Sequence, residues 1–336
     1  MKEAYLWSKS DGTVLCSLCA HRCRIPDGAR GLCGVRENRE GTLYSLVYGK
    51  LISRAVDPIE KKPLYHFLPG TLAYSIATAG CNFFCDFCQN WQISQMTHED
   101  GTIYGQDASP REIALDAERR GCRSIAYTYT EPTIFFEFAC DTAEIAREMG
   151  LKNIFVTNGY QTPETIDKMA GVIDAANVDL KAFNEDFYKN RCGARLAPVL
   201  KAVEMMHEKG IFLEVTTLIV PGQNDDTDEL KRLAEFIASV STEIPWHVSR
   251  FHPQYKQSDG KATPLETIIS ALEIGEAAGL KYLYAGNIAA GRYENTYCPG
   301  CGELVIERSG FSSRPTGLAG SRCRRCGTEL NIVAPE

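Results

Sequence analysis

The sequence predicts an α/β protein: a partial (β/α)6 TIM-like barrel with a small cysteine-rich module at each end. Two observations predict it. From residue 71 onward, short apolar runs alternate with amphipathic segments, the pattern of parallel strands covered on their outer face by helices. And 11 of the 14 cysteines fall into clusters before the barrel, after its first strand and beyond its last. The expected division is 1–70 for an N-terminal four-cysteine module and connector, 71–290 for the barrel, and 291–336 for a C-terminal module resembling a zinc ribbon.

In chain order, the first cluster is Cys16-x2-Cys19-x3-Cys23-x9-Cys33, set among turn residues such as Pro26, Gly28, Gly31 and Gly34. Four thiols make a closed site for zinc or for a second iron-sulfur cluster, and a glycine-rich segment without long apolar runs gains its fold from such an ion. An apolar run at 43–48 reads as a strand, and the turn-rich 57–66 reads as a connector laid against the barrel, with His66 a packed surface histidine. Strands are predicted at 72–77, 124–130, 153–157, 177–181, 212–220 and 247–251, with a further one at 281–285. Helices are predicted at 110–120, 136–149, 163–169, 198–209, 226–240 and 264–278, from apolar spacings of three and four and from Ser, Thr or Asp caps. In a parallel barrel the working groups lie at the carboxyl ends of the strands. There the sequence has Thr128 to Glu131, Thr157-Asn158-Gly159, Asp179 to Lys181, Val220-Pro221-Gly222, Arg250 to His252 and Gly286-Asn287.

Composition excludes other classes. A net charge of -7 leaves no basic footprint for nucleic acid. No apolar run has the length of a membrane span, and Met1 to Trp7 lacks the apolar core of a signal peptide, so a cytoplasmic location is expected. Free thiols in a reducing compartment point to metal ligation instead of disulfides.

After the first strand comes Cys81-Asn82-Phe83-Phe84-Cys85-Asp86-Phe87-Cys88, three thiols in eight residues. Three clustered cysteines with no fourth nearby suggest an iron-sulfur cluster with one iron open, against the plainer reading of a zinc or redox loop. At the chain's end, Cys298-x2-Cys301 and Cys323-x2-Cys326 have the spacing of a structural four-cysteine zinc site. The arginines there, Arg308, Arg322, Arg324 and Arg325, form either a docking face for an acidic partner or a solvated ribbon surface.

The Cys-x3-Cys-x2-Cys spacing resembles the signature of the radical S-adenosylmethionine (SAM) superfamily. Residues 71–290 resemble its glycyl-radical-enzyme activating branch, the family of the pyruvate formate-lyase activating enzymes, and the whole chain resembles the radical SAM member of the AmmeMemoRadiSam system. The resemblance implies that Cys81, Cys85 and Cys88 hold a 4Fe-4S cluster whose fourth iron binds SAM. It implies that Glu131 grips the SAM amine, with Tyr129-Thr130 standing in for the family's two glycines. Thr157, Asn158, Asp179 and Lys181 stand where SAM's carboxylate and ribose are contacted, His252 where the adenine is stacked, and Val156 where an aspartate is common. The implied activity is reductive cleavage of SAM to methionine and a 5'-deoxyadenosyl radical that abstracts hydrogen from an unidentified substrate, with a partner protein as one candidate. A flavodoxin or ferredoxin would supply the electron. The alternatives are a true glycyl-radical activase and a non-catalytic metal scaffold. Among the isolated cysteines, Cys192 follows the fourth predicted strand and is flanked by Gly193, which makes it a candidate catalytic thiol beside the radical or else an inert core residue.

Overall fold

The computed structural model describes residues 1–99 and 101–335. Its centre is a sheet of strands β1 (Ser53–Pro58), β2 (Leu72–Ala77), β3 (Ser124–Tyr127), β4 (Lys152–Thr157), β5 (Ala175–Asp179), β6 (Phe212–Ile219), β7 (Trp246–Arg250) and β8 (Leu283–Gly286), hydrogen-bonded in that order. The pairs from β2 to β8 are all parallel, and β1 lies antiparallel on the β2 edge. Helices α1 (Pro110–Arg119), α2 (Phe136–Glu148), α3 (Pro163–Met169), α4 (Leu196–Glu208), α5 (Thr227–Val240) and α6 (Leu265–Ala277) occupy the six successive crossovers from β2 to β8. This is the predicted partial barrel.

The local chemistry accounts for the register of each unit. Strand β3 is buried at every position, as a strand covered on both faces must be. Ser109 caps α1 in a full capping box with Glu112, with Pro110 in the first turn. Thr162 caps α3 through Thr165 N, and Asp226 caps α5 through Glu229 N. Each cap fixes where the chain leaves a strand-end loop, and so fixes the loop's length.

Strand β1 departs from the sequence expectation. Its burial alternates poorly and it ends in Pro58, so neither apolar periodicity nor composition marks it as a strand; an edge position tolerates both. Beyond it, Ile59–Lys61 form one helical turn, after which Lys62 is 1% exposed. His66 is also not a surface residue. It is fully buried, with Nδ1 2.7 Å from Asn331 O and Nε2 2.6 Å from Tyr284 Oη.

The two cysteine-rich ends differ. The N-terminal module is built from antiparallel strands, and Val14, Leu18, Ile25, Val35 and Leu43 belong to the same apolar core as the barrel. The C-terminal module has a core of its own around Val305, Ile306, Leu318 and Ile332. It is tied to the barrel by Arg308, which is buried and donates to Tyr65 O at 2.7 Å and Thr296 Oγ1 at 2.8 Å, its guanidinium 4.3 Å from the Tyr65 ring centroid. Arg325 pairs with Glu303, Arg322 with Glu329, and Arg324 donates to Leu318 O, so all of these arginines are engaged within the chain. Among the described residues no helix is long and apolar enough to cross a membrane.

One buried ion pair joins the N-terminal module to α2. Arg36 and Glu137 are 2% and 0% exposed, 2.8 Å apart, and Glu137 also accepts from Tyr5 N at 2.6 Å. Removing one partner of such a pair leaves the other charge stranded in the core, so Glu137→Ala is expected to cost about 3–5 kcal/mol of stability. Denaturant midpoints of the two proteins measure this, and coincident curves would contradict it.

Candidate functional site

At the carboxyl end of the barrel a cavity of about 600 Å³ is lined by Cys81, Cys85 and Cys88 together with Glu131, Thr157, Asn158, Asp179 and Lys181. The cysteine loop leaves β2 at Gly80, whose φ of +97° and close neighbours Val35, Thr97 and Ile134 leave no room for a Cβ. Phe83 N donates to Cys81 Sγ at 3.3 Å, His98 Nε2 lies 2.9 Å from Cys81 O, and Cys88 Sγ lies 3.2 Å from Ser94 Oγ. Burial, followed by the nearby Glu131 carboxylate, pushes the Cys81 thiol well up.

Glu131 organises the site. It is 1% exposed; Oε1 accepts from Thr133 N at 3.0 Å, Thr133 Oγ1 at 2.5 Å and Thr157 Oγ1 at 2.8 Å, and Oε2 accepts from Asn158 N at 2.8 Å. Burial nevertheless keeps its pKa above the ordinary value. Asn158 Nδ2 reaches Asn82 Oδ1 at 2.7 Å, which pins the cysteine loop to the end of β4, and its Oδ1 accepts from Tyr160 N, so the Asn158 side chain is used within the protein. The Asn-Gly turn needs its glycine: Gly159 has φ +70°, and a Cβ there would stand 2.8 Å from Val178.

Lys181 Nζ is 2.9 Å from Asp179 Oδ2. Burial opposes its charge, but Asp179 and the Cys85 and Cys192 thiols more than offset this and hold it well above the usual lysine range. Cys192 is fully buried, in keeping with the core alternative of its two sequence readings. Its thiol hydrogen-bonds Cys85, and it is not among the residues lining the cavity. Hydrogen-atom donation to a molecule in the cavity is therefore not its geometry. His252 lies exposed just beyond β7, also outside the cavity lining.

Tyr129 occupies the place of a glycine in the resembling family, and it adopts φ +64°, the left-handed conformation glycine favours. A tyrosine there is strained, and three contacts hold it. Its carbonyl accepts from Asn90 Nδ2 at 2.8 Å, its hydroxyl bonds Asp57, and its ring lies 4.4 Å from Lys62 Nζ.

The opposite side of the cavity is not legible in the sequence. Glu60, Lys61, Lys62 and Tyr65 line it from the segment that reads as a connector, His247 from inside β7, and Glu294, Gly310 and Phe311 from the C-terminal module. The charged run Glu60-Lys61-Lys62 is its only sequence signal. Glu214, fully buried on β6, accepts from Tyr65 N at 3.0 Å, His66 N at 2.7 Å and His247 Nε2 at 2.7 Å. Thr216 Oγ1 and Glu60 Oε2, both on residues of this wall, are buried without a hydrogen-bond partner in the protein.

The C-terminal thiols are arranged differently from the others. Cys298, Cys301, Cys323 and Cys326 have their sulfurs within 4.8 Å of one another, with Cys298–Cys326 at 3.6 Å and Cys301–Cys323 at 3.7 Å. Four thiolates about 2.3 Å from one tetrahedral ion stand about 3.8 Å apart, so this set could hold a single metal ion.

Residues 75–237 match the sequence profile of the family described as the Radical SAM superfamily. Residues 75–237 are a radical SAM domain. An uncharacterized protein of Methanocaldococcus jannaschii is 46% identical over 99% of this chain and 100% of its own length. More distantly, this chain is 24% identical to the pyruvate formate-lyase 1-activating enzyme of Escherichia coli K12, over 61% of this chain and 89% of that one. The crystal structure of a radical SAM methyltransferase from Sphaerobacter thermophilus superposes with a TM-score of 0.53 at 17% identity, over 65% of this chain and 67% of that one, which concerns the fold alone.

The buried amine of Lys62 provides a pH test of the cavity wall. Burial lowers its pKa from 10.5 to about 8, although Asp57 at 2.7 Å offsets part of that cost. Across this window the unfolded chain retains a proton that the folded chain has released, so this group makes stability rise with pH; below about pH 8 the gain is absent. Lys62→Met should remove that rise. Urea midpoints of both proteins across the window measure it, and parallel profiles would mean that the amine titrates normally.

Proposed function

We propose that this protein is an enzyme that binds a 4Fe-4S cluster at Cys81, Cys85 and Cys88 and cleaves SAM reductively to abstract hydrogen from a substrate in the barrel. One observation carries the reading: three thiols open into one cavity that also holds the buried carboxylate of Glu131 and the Asp179–Lys181 pair. The donor set fits the cluster. Three thiols and no fourth line the cavity, so a four-iron cluster held there would have one iron without a protein thiolate. When bound, the cluster supplies the electron that splits SAM into methionine and a 5'-deoxyadenosyl radical.

The chain's own residues do the rest. Glu131 Oε2 accepts one protein hydrogen bond and keeps an acceptor site for the SAM ammonium, whose charge lowers the cost of keeping the carboxylate ionised in the core. Lys181 presents a cation to the SAM carboxylate, and Asp179 an acceptor to a ribose hydroxyl. Thr157 and Asn158 act by holding Glu131 and the cysteine loop in place. Closure of the barrel by Lys62, Tyr65 and Phe311 keeps water and stray hydrogen donors from the radical. His252 stands outside the cavity lining, so adenine stacking by it would require its loop to turn inward.

The likeness to a pyruvate formate-lyase activating enzyme supports a protein as substrate, admitted past Gly310 and Phe311 at the cavity edge. The finer family reading is the radical SAM member of the AmmeMemoRadiSam system, with a true glycyl-radical activase as the alternative. A flavodoxin or ferredoxin of the cytoplasm is the electron donor in keeping with chemistry at such a cluster. At the C-terminal thiols the sulfur spacing favours zinc.

Anaerobic reconstitution followed by assay of 5'-deoxyadenosine from SAM and dithionite tests the activity. The Cys81→Ala, Cys85→Ala, Cys88→Ala triple variant should lose that product entirely, and wild-type turnover in it would sink the assignment. Glu131→Gln should assemble the cluster normally and bind SAM at least about tenfold more weakly, the loss of one charge-assisted hydrogen bond. Equal SAM affinity of the two proteins by calorimetry would mean that Glu131 does not hold the ammonium.

A further inference from the structure

We propose that Cys16, Cys19, Cys23 and Cys33 hold a second four-iron cluster that relays electrons to the cluster at Cys81, Cys85 and Cys88. Three observations carry this. First, among the described residues the C-terminal thiols are the one group drawn within 4.8 Å of one another. The N-terminal four do not share that spacing. A single tetrahedral ion needs it, whereas thiolates at the corners of a four-iron cube stand farther apart, as do Cys81, Cys85 and Cys88. Second, the four N-terminal thiols line one cavity together with Leu18, Ile25, His21 and Arg36, so four thiols and no carboxylate face a common space.

Third, the module abuts the cysteine loop through two short routes. His21, two residues after Cys19, has Nε2 2.8 Å from Asn82 O, directly beside Cys81. From the other end, Thr97 Oγ1 donates to Cys33 O at 3.2 Å and His98 Nε2 lies 2.9 Å from Cys81 O. Val35 presses on the place where Gly80 lacks a side chain. Electron transfer falls steeply with distance, and these contacts bring the two thiol sets to either side of one packed layer. Cys19 and Cys23 are only partly buried, so a donor at the surface can approach the outer cluster.

The transfer balances with one carrier. A low-potential one-electron donor, a flavodoxin or a ferredoxin, reduces the outer cluster; that cluster returns to its oxidised state as the inner one is reduced, and no bond or proton changes hands. The relay rests on the function proposed above, but the metal content of the module does not.

Two experiments separate these. The Cys81→Ala, Cys85→Ala, Cys88→Ala variant, reconstituted anaerobically, should retain about four irons per chain and a reducible cluster EPR signal, against about eight irons in the intact chain. Zinc or no metal at the N-terminal thiols would overturn the site, whatever the intact protein does with SAM. For the relay, Cys19→Ala with Cys23→Ala should reduce flavodoxin-driven 5'-deoxyadenosine formation by at least about tenfold while leaving the dithionite-driven rate within about twofold. Equal rates from flavodoxin before and after substitution, or an equal loss with both reductants in a variant that still unfolds at the wild-type temperature, would overturn it. If the double variant does not fold, reduction of the intact chain by flavodoxin decides in its place: the outer signal should appear first on rapid freezing, and the inner signal appearing first would overturn the relay.

Discussion

The site depends on burying one carboxylate at the mouth of the barrel. Glu131 stands just beyond β3, where a lone charge in the core would cost several kcal/mol, and the fold supplies donors from three directions to meet that cost. Thr133 comes from the turn that follows, Thr157 from the end of β4, and the Asn158 amide from the loop after it. Each donor is itself tied down. Asn158 holds the cysteine loop through Asn82, and Gln161 Nε2 binds both Thr133 and Thr157 while Gln161 itself bridges to Cys19. A single polar demand thus ties β3, β4, the cysteine loop and the N-terminal module into one connected network.

Much of this is legible in the sequence. Alternation of apolar runs with capped amphipathic helices predicts the barrel, because a parallel strand covered on both faces cannot hide its apolar continuity. The strand-end rule then brings Glu131, Thr157, Asn158, Asp179 and Lys181 to one cavity with the cysteines. What escapes is the far wall. Lys62, Asp57 and Tyr129 come from segments far apart in the chain, and nothing local in any of them announces the ion pair or the ring contact. The same holds for Glu214 with His66 and His247, polar residues in a barrel interior that apolar periodicity assigns to core. Burial of Cys192 and exposure of His252 are likewise tertiary outcomes that their neighbours in sequence do not encode.

Tyr129 shows how backbone strain is absorbed. The backbone takes a left-handed turn without a glycine, and the side chain that should have been a liability becomes a wall. Its hydroxyl and ring engage Asp57 and Lys62 on the β1 side, a segment with no counterpart among the βα units of the barrel. The strain at this residue and the additional strand are parts of one solution: the edge strand supplies the partners that make a tyrosine tolerable there.

The reach of Arg308 has a consequence for how the chain melts. The C-terminal ribbon has its own core, yet its arginine enters the barrel to hold Tyr65 and Thr296, and Thr296 in turn meets Tyr284, whose hydroxyl meets His66. A cut at residue 290 would therefore not release a finished barrel. It would remove Glu294, Gly310 and Phe311 from the cavity wall, take Thr296 from the Tyr284 hydroxyl and take the Asn331 carbonyl from His66 Nδ1. Ribbon and barrel have separate cores but are joined by buried polar contacts, so disorder at the four C-terminal thiols would reach the wall of a cavity whose cysteines lie more than two hundred residues away in sequence.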